Sequence, residues 1–205
     1  NGGSLLNGEK TAATLTTPET LGAIEFQRSL YQEHGVARPG LGTNQFVAGE
    51  LATMINGIWA AGNLADVAFE WDAGPLPEGP EGLWSMYKPN SFTMSRTTKH
   101  PEEAWELIKF LTGDEIEALT IPDGSHEVKR KANAWLLLEL HPIPNVRYFL
   151  DMIANGRVFS LPVVPEWSEV ENAFNREWRD IRDGKQDPMS GMLRAEEAIN
   201  AILNR

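Results

Sequence analysis

Seven tryptophans in 205 residues supply flat apolar rings, and 29 Asp and Glu supply hydrogen-bonding edges. That pairing could serve a solute whose apolar faces are rimmed by hydroxyls, because aromatics stack on the faces and amides or carboxylates take the rim, although most of the indoles are expected in the core. Trp59, directly behind Asn56-Gly57, stands out by position, and Trp167 and Glu171 lie one helical turn apart on one face. Trp105 and Trp178 lie in helices with strong apolar stripes and read as structural. Catalysis has no comparable carrier. The histidines at 34, 100, 126 and 141 form no HxxxH or HExxH spacing, so no metal is expected. There is no GxSxG elbow and no P-loop. Gly40-Leu41-Gly42 is followed by Gln45 where a dinucleotide fingerprint needs glycine, so no cofactor is expected either. Paired carboxylates could hydrolyse a glycoside, which keeps a carbohydrate-active hydrolase as the alternative, but nothing local separates such a pair from surface charge. Lys129-Arg130-Lys131 reads as a solvated helix face rather than an anion site.

The elements that must position these residues follow from periodicity and punctuation. Phe46 to Glu50 is a short amphipathic turn, Leu51 to Ile55 an apolar run that reads as a strand, and Asn56-Gly57 the turn that opens a new helix. Trp59 then sits just past a strand end, where an α/β fold exposes side chains to its cleft; packing in the core is the equal alternative. Upstream, Asn1-Gly2-Gly3-Ser4 is a flexible or ligand-facing turn, with a plain turn favoured. Leu5-Leu6 and Thr11 to Thr16 flank Asn7-Gly8 as a hairpin. Thr17-Pro18-Glu19 starts a helix with a stripe at Leu21, Ile24, Leu30 and Tyr31, and His34-Gly35 ends it.

Residues 75 to 82 are too rich in Pro and Gly for regular structure. Leu83 to Ser95 reads as a strand pair, or as one strand broken at Lys88-Pro89-Asn90. Helices are expected from His100-Pro101, with Ala104, Leu107, Ile108 and Leu111 on one face, from Asp114, and from Pro144 to Gly156. A long helix carries Trp167, Val170, Phe174, Trp178 and Ile181 to Asp183-Gly184. The last starts at Asp187-Pro188 and turns Met192, Ala195, Ile199 and Ile202 inward.

The segment Phe46 to Trp59, the acidic-aromatic stretch Phe69-Glu70-Trp71-Asp72 running to Pro75-Leu76-Pro77, Lys99 to Leu111, and Val164-Pro165-Glu166-Trp167 occur in an order that resembles the extracellular solute-binding proteins of family 1. These are the maltose-binding-protein-like sugar receptors of ABC importers. The chain departs from their usual pattern at Glu50, Thr53 and Pro89-Asn90. The resemblance implies an α/β, type II periplasmic-binding-protein-like fold. It also implies a C-terminal fragment, with one largely complete lobe plus a segment of the other. On that basis 1–82 is the α/β part of the C-terminal lobe, 83–125 a crossing strand plus helices of the N-terminal lobe, and 126–205 helices of the C-terminal lobe, with crossings near 75–90 and 120–130. Implied ligand-binding residues are Trp59 as the stacking ring, Gly57, Gly3, the crossing-loop residues Tyr87, Lys88 and Asn90, and Trp167 with Glu171.

The implied function is non-enzymatic. A mono- or oligosaccharide is bound by hinge closure and handed to ABC permease subunits, by a monomer in the periplasm or outside the cell, with or without a lipid anchor. Composition agrees with this exclusion of other classes. A net charge of −11 argues against a nucleic-acid partner, and the absence of cysteine excludes disulfides and thiolate metal sites. No apolar run approaches the roughly 20 residues of a membrane-spanning helix.

Overall fold

A computed structural model describes residues 2–88, 90–123, 134–143, 145–155 and 158–205. Their elements in order are α1 (Pro18–Gln32), α2 (Thr43–Val47), a 3-10 helix (Ile58–Asn63), β1 (Ser85–Met86), α3 (Pro101–Leu111), α4 (Asp114–Thr120), a 3-10 turn (Ile121–Asp123), α5 (Ala134–Leu140), α6 (Arg147–Ala154), β2 (Val158–Phe159), α7 (Trp167–Arg182) and α8 (Pro188–Leu203). The described part of the α/β chain is thus mostly helical. Pro89, His126, the Lys129-Arg130-Lys131 run, the second expected crossing beyond Asp123, and both ends of the helix expected from Pro144 to Gly156 lie outside the described residues.

The chain divides into two units. Unit 1 comprises Asn1–Leu41, Glu78–Gly82 and Ser160–Arg205; unit 2 comprises Gly42–Pro77 and Leu83–Phe159. The break between Gly82 and Leu83 falls where the resemblance starts the 83–125 segment, and Leu83–Phe159 belong to one unit; the lobe boundaries at 83 and 126 concern a longer receptor.

Unit 1 is built on α1, α7 and α8, whose starts and stops are written in the sequence. Thr17 caps α1 through its hydroxyl, which accepts from the Thr20 N–H at 3.4 Å, and Pro18 fills the first position. Asp187 caps α8 by accepting from the Ser190 N–H at 2.9 Å. Between α7 and α8, Gly184 takes a φ of 71°, a left-handed turn that glycine adopts without steric cost. Helical spacing then turns Val170, Ala173 and Ile181 of α7 and Met192, Ala195, Ile199 and Ile202 of α8 into one core with Leu6, Leu15 and Ile24. The polar edge of α8 holds the N-terminal segment: Asn200 Oδ1 accepts from the Ala13 N–H at 2.8 Å, and Glu196 Oε2 from the Thr16 N–H at 2.9 Å and its hydroxyl at 3.0 Å. Trp178 packs on this core and meets Tyr31 edge to face at 6.3 Å.

The Ser190 backbone N–H, aided by the Ser190 side chain, holds the Asp187 carboxyl below the usual carboxylate range. A lowered folded-state value means that the cap's contribution is complete above the unfolded carboxylate pKa of about 3.9 and fades as pH falls through the lower folded value. Asp187→Asn keeps an oxygen acceptor at the cap and removes the titration. Thermal melts from pH 6 downward should show a shallower acid decline for the variant below about pH 4 than for the wild type. Parallel curves would mean that the carboxylate contributes nothing to acid sensitivity.

Three expectations are corrected. The hairpin exists as an antiparallel bridge between Leu6 and Ala13, but its loop is not a two-residue Asn-Gly turn. Asn7 instead bends the chain with its side chain, whose Oδ1 accepts from the Thr11 and Ala12 N–H groups, while Lys10 takes a φ of 58°. Leu51 to Ile55 forms no strand, because a strand requires a hydrogen-bonded neighbour and none is present among the described residues. The strand at 83–95 is limited to β1, and it pairs in parallel with β2, Ser85 opposite Val158 and Met86 opposite Phe159, rather than with the residues after Lys88.

Unit 2 has its own core of Ile58, Ala61, Ile121, Leu136, Leu137, Ile143 and Val146. Helix α3 contributes none of these: its Trp105, expected to be structural, is 51% exposed. Of the α3 stripe, Ala104, Ile108 and Leu111 are half-buried, and Leu107 is exposed.

Candidate functional site

Trp59 is the second residue of the 3-10 helix Ile58–Asn63. A 3-10 helix repeats every three residues, so Ile58 and Ala61 eclipse one another on one face. Both are buried in the core of unit 2, which leaves Trp59, one position further on, facing away. It is 42% exposed, a high value for an indole. The outward ring is therefore a consequence of burying Ile58, not of a strand end.

The approach to this helix is fixed. Asn56 donates from Nδ2 to the Thr43 hydroxyl at 3.1 Å, tying the segment to the first residue of α2, and its Oδ1 accepts from the Gly57 N–H at 2.8 Å. Helix α2 itself is anchored by Phe46, which is buried and meets Phe69 edge to face at 5.5 Å. Gly57 is half-buried. Beyond the helix, Trp71 donates from Nε1 to the Leu64 carbonyl at 3.2 Å, and a groove of about 640 Å³ runs along Leu64, Ala65, Val67 and Phe69 to Asp72. Trp59 does not line that groove. Asp72 accepts from both the backbone N–H of Asn145 and its side-chain amide, which joins the loop to the start of α6.

The remaining expected ligand residues fall into the two units separately. Tyr87, Lys88 and Asn90 are exposed in unit 2; the Tyr87 N–H donates to the Phe159 carbonyl at 2.8 Å and so extends the parallel pairing. Gly3, Trp167 and Glu171 are in unit 1. Gly3 lines a groove of about 760 Å³ with Ser4, Lys10, Glu19 and Leu161 among others. A Cβ on Gly3 would stand 2.6 to 2.7 Å from the Thr20 backbone and hydroxyl, so the residue lets the N-terminal segment press against the start of α1. Trp167 is half-buried against the core of unit 1, and Glu171, one turn along α7, is exposed.

The bonds made by two residues of this region carry no sequence signal. Asp72 meets a partner 73 residues away, and no local pattern encodes such a pair. Thr43 reads as part of a Gly/Pro loop, and its bond to Asn56 becomes visible only once α2 is folded. Among the described residues no cluster of three or more His, Asp or Glu could hold a metal ion, and no helix is long and apolar enough to cross a membrane.

Comparison with known proteins gives these features a context. A binding protein of Brucella abortus strain 2308 is 25% identical over 223 aligned residues, which take in all of this chain and 51% of the relative. The ABC substrate-binding protein of Listeria monocytogenes in complex with cycloalternan superposes with a TM-score of 0.84 at 22% identity, over 100% of this chain and 54% of that one. The sugar-binding protein of Xanthomonas citri gives 0.78 at 20% identity, over 100% and 53%. The maltose/maltodextrin-binding domain of Bdellovibrio bacteriovorus bound to maltotriose gives 0.78 at 17%, over 100% and 55%. The fold is therefore that of the periplasmic sugar-binding proteins, and the chain spans about half the length of the relatives it matches. The sequence model of the bacterial extracellular solute-binding proteins matches residues 3–123, more than half of these 205 residues, and the chain belongs to that family.

Proposed function

We propose that the protein containing this chain is the substrate-binding component of an ABC importer. It takes a mono- or oligosaccharide outside the cytoplasmic membrane, closes on it by a hinge motion, and delivers it to the permease without chemical change. The observation that carries this reading is the exposed Trp59 indole, on a 3-10 helix whose Ile58 and Ala61 are buried, in a member of a solute-binding family whose structural neighbours include proteins bound to cycloalternan and to maltotriose. An outward aromatic ring suits the apolar face of a pyranose, because its flat face can stack on it. Gly57 belongs to the same site, and Tyr87, Lys88 and Asn90 supply exposed polar groups in the same unit. Gly3, Trp167 and Glu171 are proposed as further contacts from unit 1.

Ligand binding to the folded state alone raises the melting temperature, by an amount that follows RT ln(1 + [L]/Kd). At a sugar concentration 100 times Kd the gain is about 2.7 kcal/mol, which is several degrees for a protein of this size class. Thermal-shift measurements on the intact protein with glucose, maltose, maltotriose, mannobiose and cycloalternan should therefore show a rise for at least one sugar. The same sugars should be recovered unchanged. Release of reducing sugar would point to the hydrolase with paired carboxylates, and the absence of any shift across a wide carbohydrate panel would reject the receptor reading.

A further inference from the structure

Gly57 has an extended backbone, φ −88° and ψ 169°, which any L-residue can adopt. Its lack of a side chain therefore answers a need for space, and the atoms nearest to that space all belong to one side chain. A Cβ at this position would overlap Cζ3, Cη2 and Cε3 of Trp59, all atoms of the six-membered ring. The benzo half of the indole thus lies across the Gly57 peptide. That peptide is itself held, since its N–H donates to Asn56 Oδ1 and the Asn56 amide is bonded to Thr43 on α2.

From this geometry we infer that Gly57 is a positioning residue for Trp59: the bare peptide is the seat that fixes the indole rotamer and leaves the rest of the ring presented for stacking. The inference rests on the stacking role proposed for Trp59 and adds what sets the ring's orientation. A ring already fixed loses no rotamer freedom when a sugar docks, whereas a ring displaced from its seat must be ordered during binding and meets the sugar at a different angle. The Gly57 seat, the Asn56 and Thr43 side chains bonded behind it, and Ile58, which anchors the helix in its core, all belong to unit 2.

The test uses the intact protein labelled with 5-fluorotryptophan, the resonance of residue 59 being assigned by its loss in Trp59→Phe. Gly57→Ala should move or broaden that resonance while the far-ultraviolet spectrum stays that of the wild type. An unmoved resonance would overturn the inference, whichever sugar binds. With maltotriose and mannobiose as probes, Gly57→Ala should weaken binding by roughly threefold or more, and should add nothing in a Trp59→Ala background. A loss in Trp59→Ala with none in Gly57→Ala would remove the positioning role alone, whereas no loss in Trp59→Ala would remove the stacking reading itself. Should Gly57→Ala fail to fold, recovery of folding in the Gly57→Ala, Trp59→Ala double variant would support the collision of methyl and ring. A double variant still unfolded would refute it.

Discussion

Trp59→Ala in the intact protein is expected to weaken sugar binding by about 30-fold or more while leaving the protein folded, because truncating a central aromatic anchor of a binding site typically costs on the order of 2 kcal/mol. The two halves of this expectation come from different facts. The binding loss follows from the proposed stacking, in which the indole supplies the largest single apolar surface to the solute. The tolerance of the fold follows from the position of the ring: it is 42% exposed, and the burial of its helix is carried by Ile58 and Ala61 on the other face. A fully buried Trp costs about 3–5 kcal/mol when cut to Ala, and a ring as exposed as this one should stay well below that range. Calorimetric titration and thermal melts of the same preparation read both halves. Unchanged affinity would mean that the solute does not touch the ring, and global unfolding would make the ring a structural element. Trp59→Phe is the informative intermediate, since a smaller aromatic keeps a stacking face and should recover part of the affinity.

The helices of unit 1 were legible because each carries its own instructions. Thr17-Pro18 and Asp187-Pro188 announce their helices chemically, and the spacing of Met192, Ala195, Ile199 and Ile202 can be satisfied only by a helix with one buried side. Such signals are local, so one sequence suffices. The run Leu51 to Ile55 shows where locality ends: β-compatible residues become a strand only if another strand lies beside them, and none does among the described residues. The same holds for Trp105 on α3, where the apolar stripe predicts a helix correctly but cannot say what covers it. At the candidate site, Trp59 and Gly57 could be singled out from Asn56-Gly57-Ile58-Trp59, yet the reason for Trp59 facing outward is the three-residue repeat of a 3-10 helix, which no residue type announces. Bonds such as Asp72 to Asn145 and Asn200 to Ala13 are products of the assembled fold and have no trace in either segment alone.

The largest effect on stability is expected from Ile199→Ala. Ile199 is 0% exposed and belongs to the cluster that joins α8 to Val170 and Ile181 of α7, to Ile24 of α1, and to Leu6, Ala13 and Leu15 of the N-terminal segment. Removing three side-chain carbons loses their transfer free energy and leaves a cavity whose walls are helices that cannot readily collapse, a cost of about 2–5 kcal/mol. Against a total domain stability of about 5–15 kcal/mol this is a large fraction. The loss should also propagate along α8, because the same helix carries Asn200 and Glu196, whose acceptors hold Ala13 and Thr16. Leu193 offers an internal control on the same helix: it is 47% exposed, so Leu193→Ala removes apolar atoms that already face water and should cost below about 1 kcal/mol. In urea denaturation the Ile199 variant should shift its midpoint with an unchanged slope, the mark of lost stability without a change in exposed surface. A variant within about 0.5 kcal/mol of wild type would contradict the packing described for α7 and α8, since no ordinary relaxation absorbs a three-carbon void in a close-packed interior.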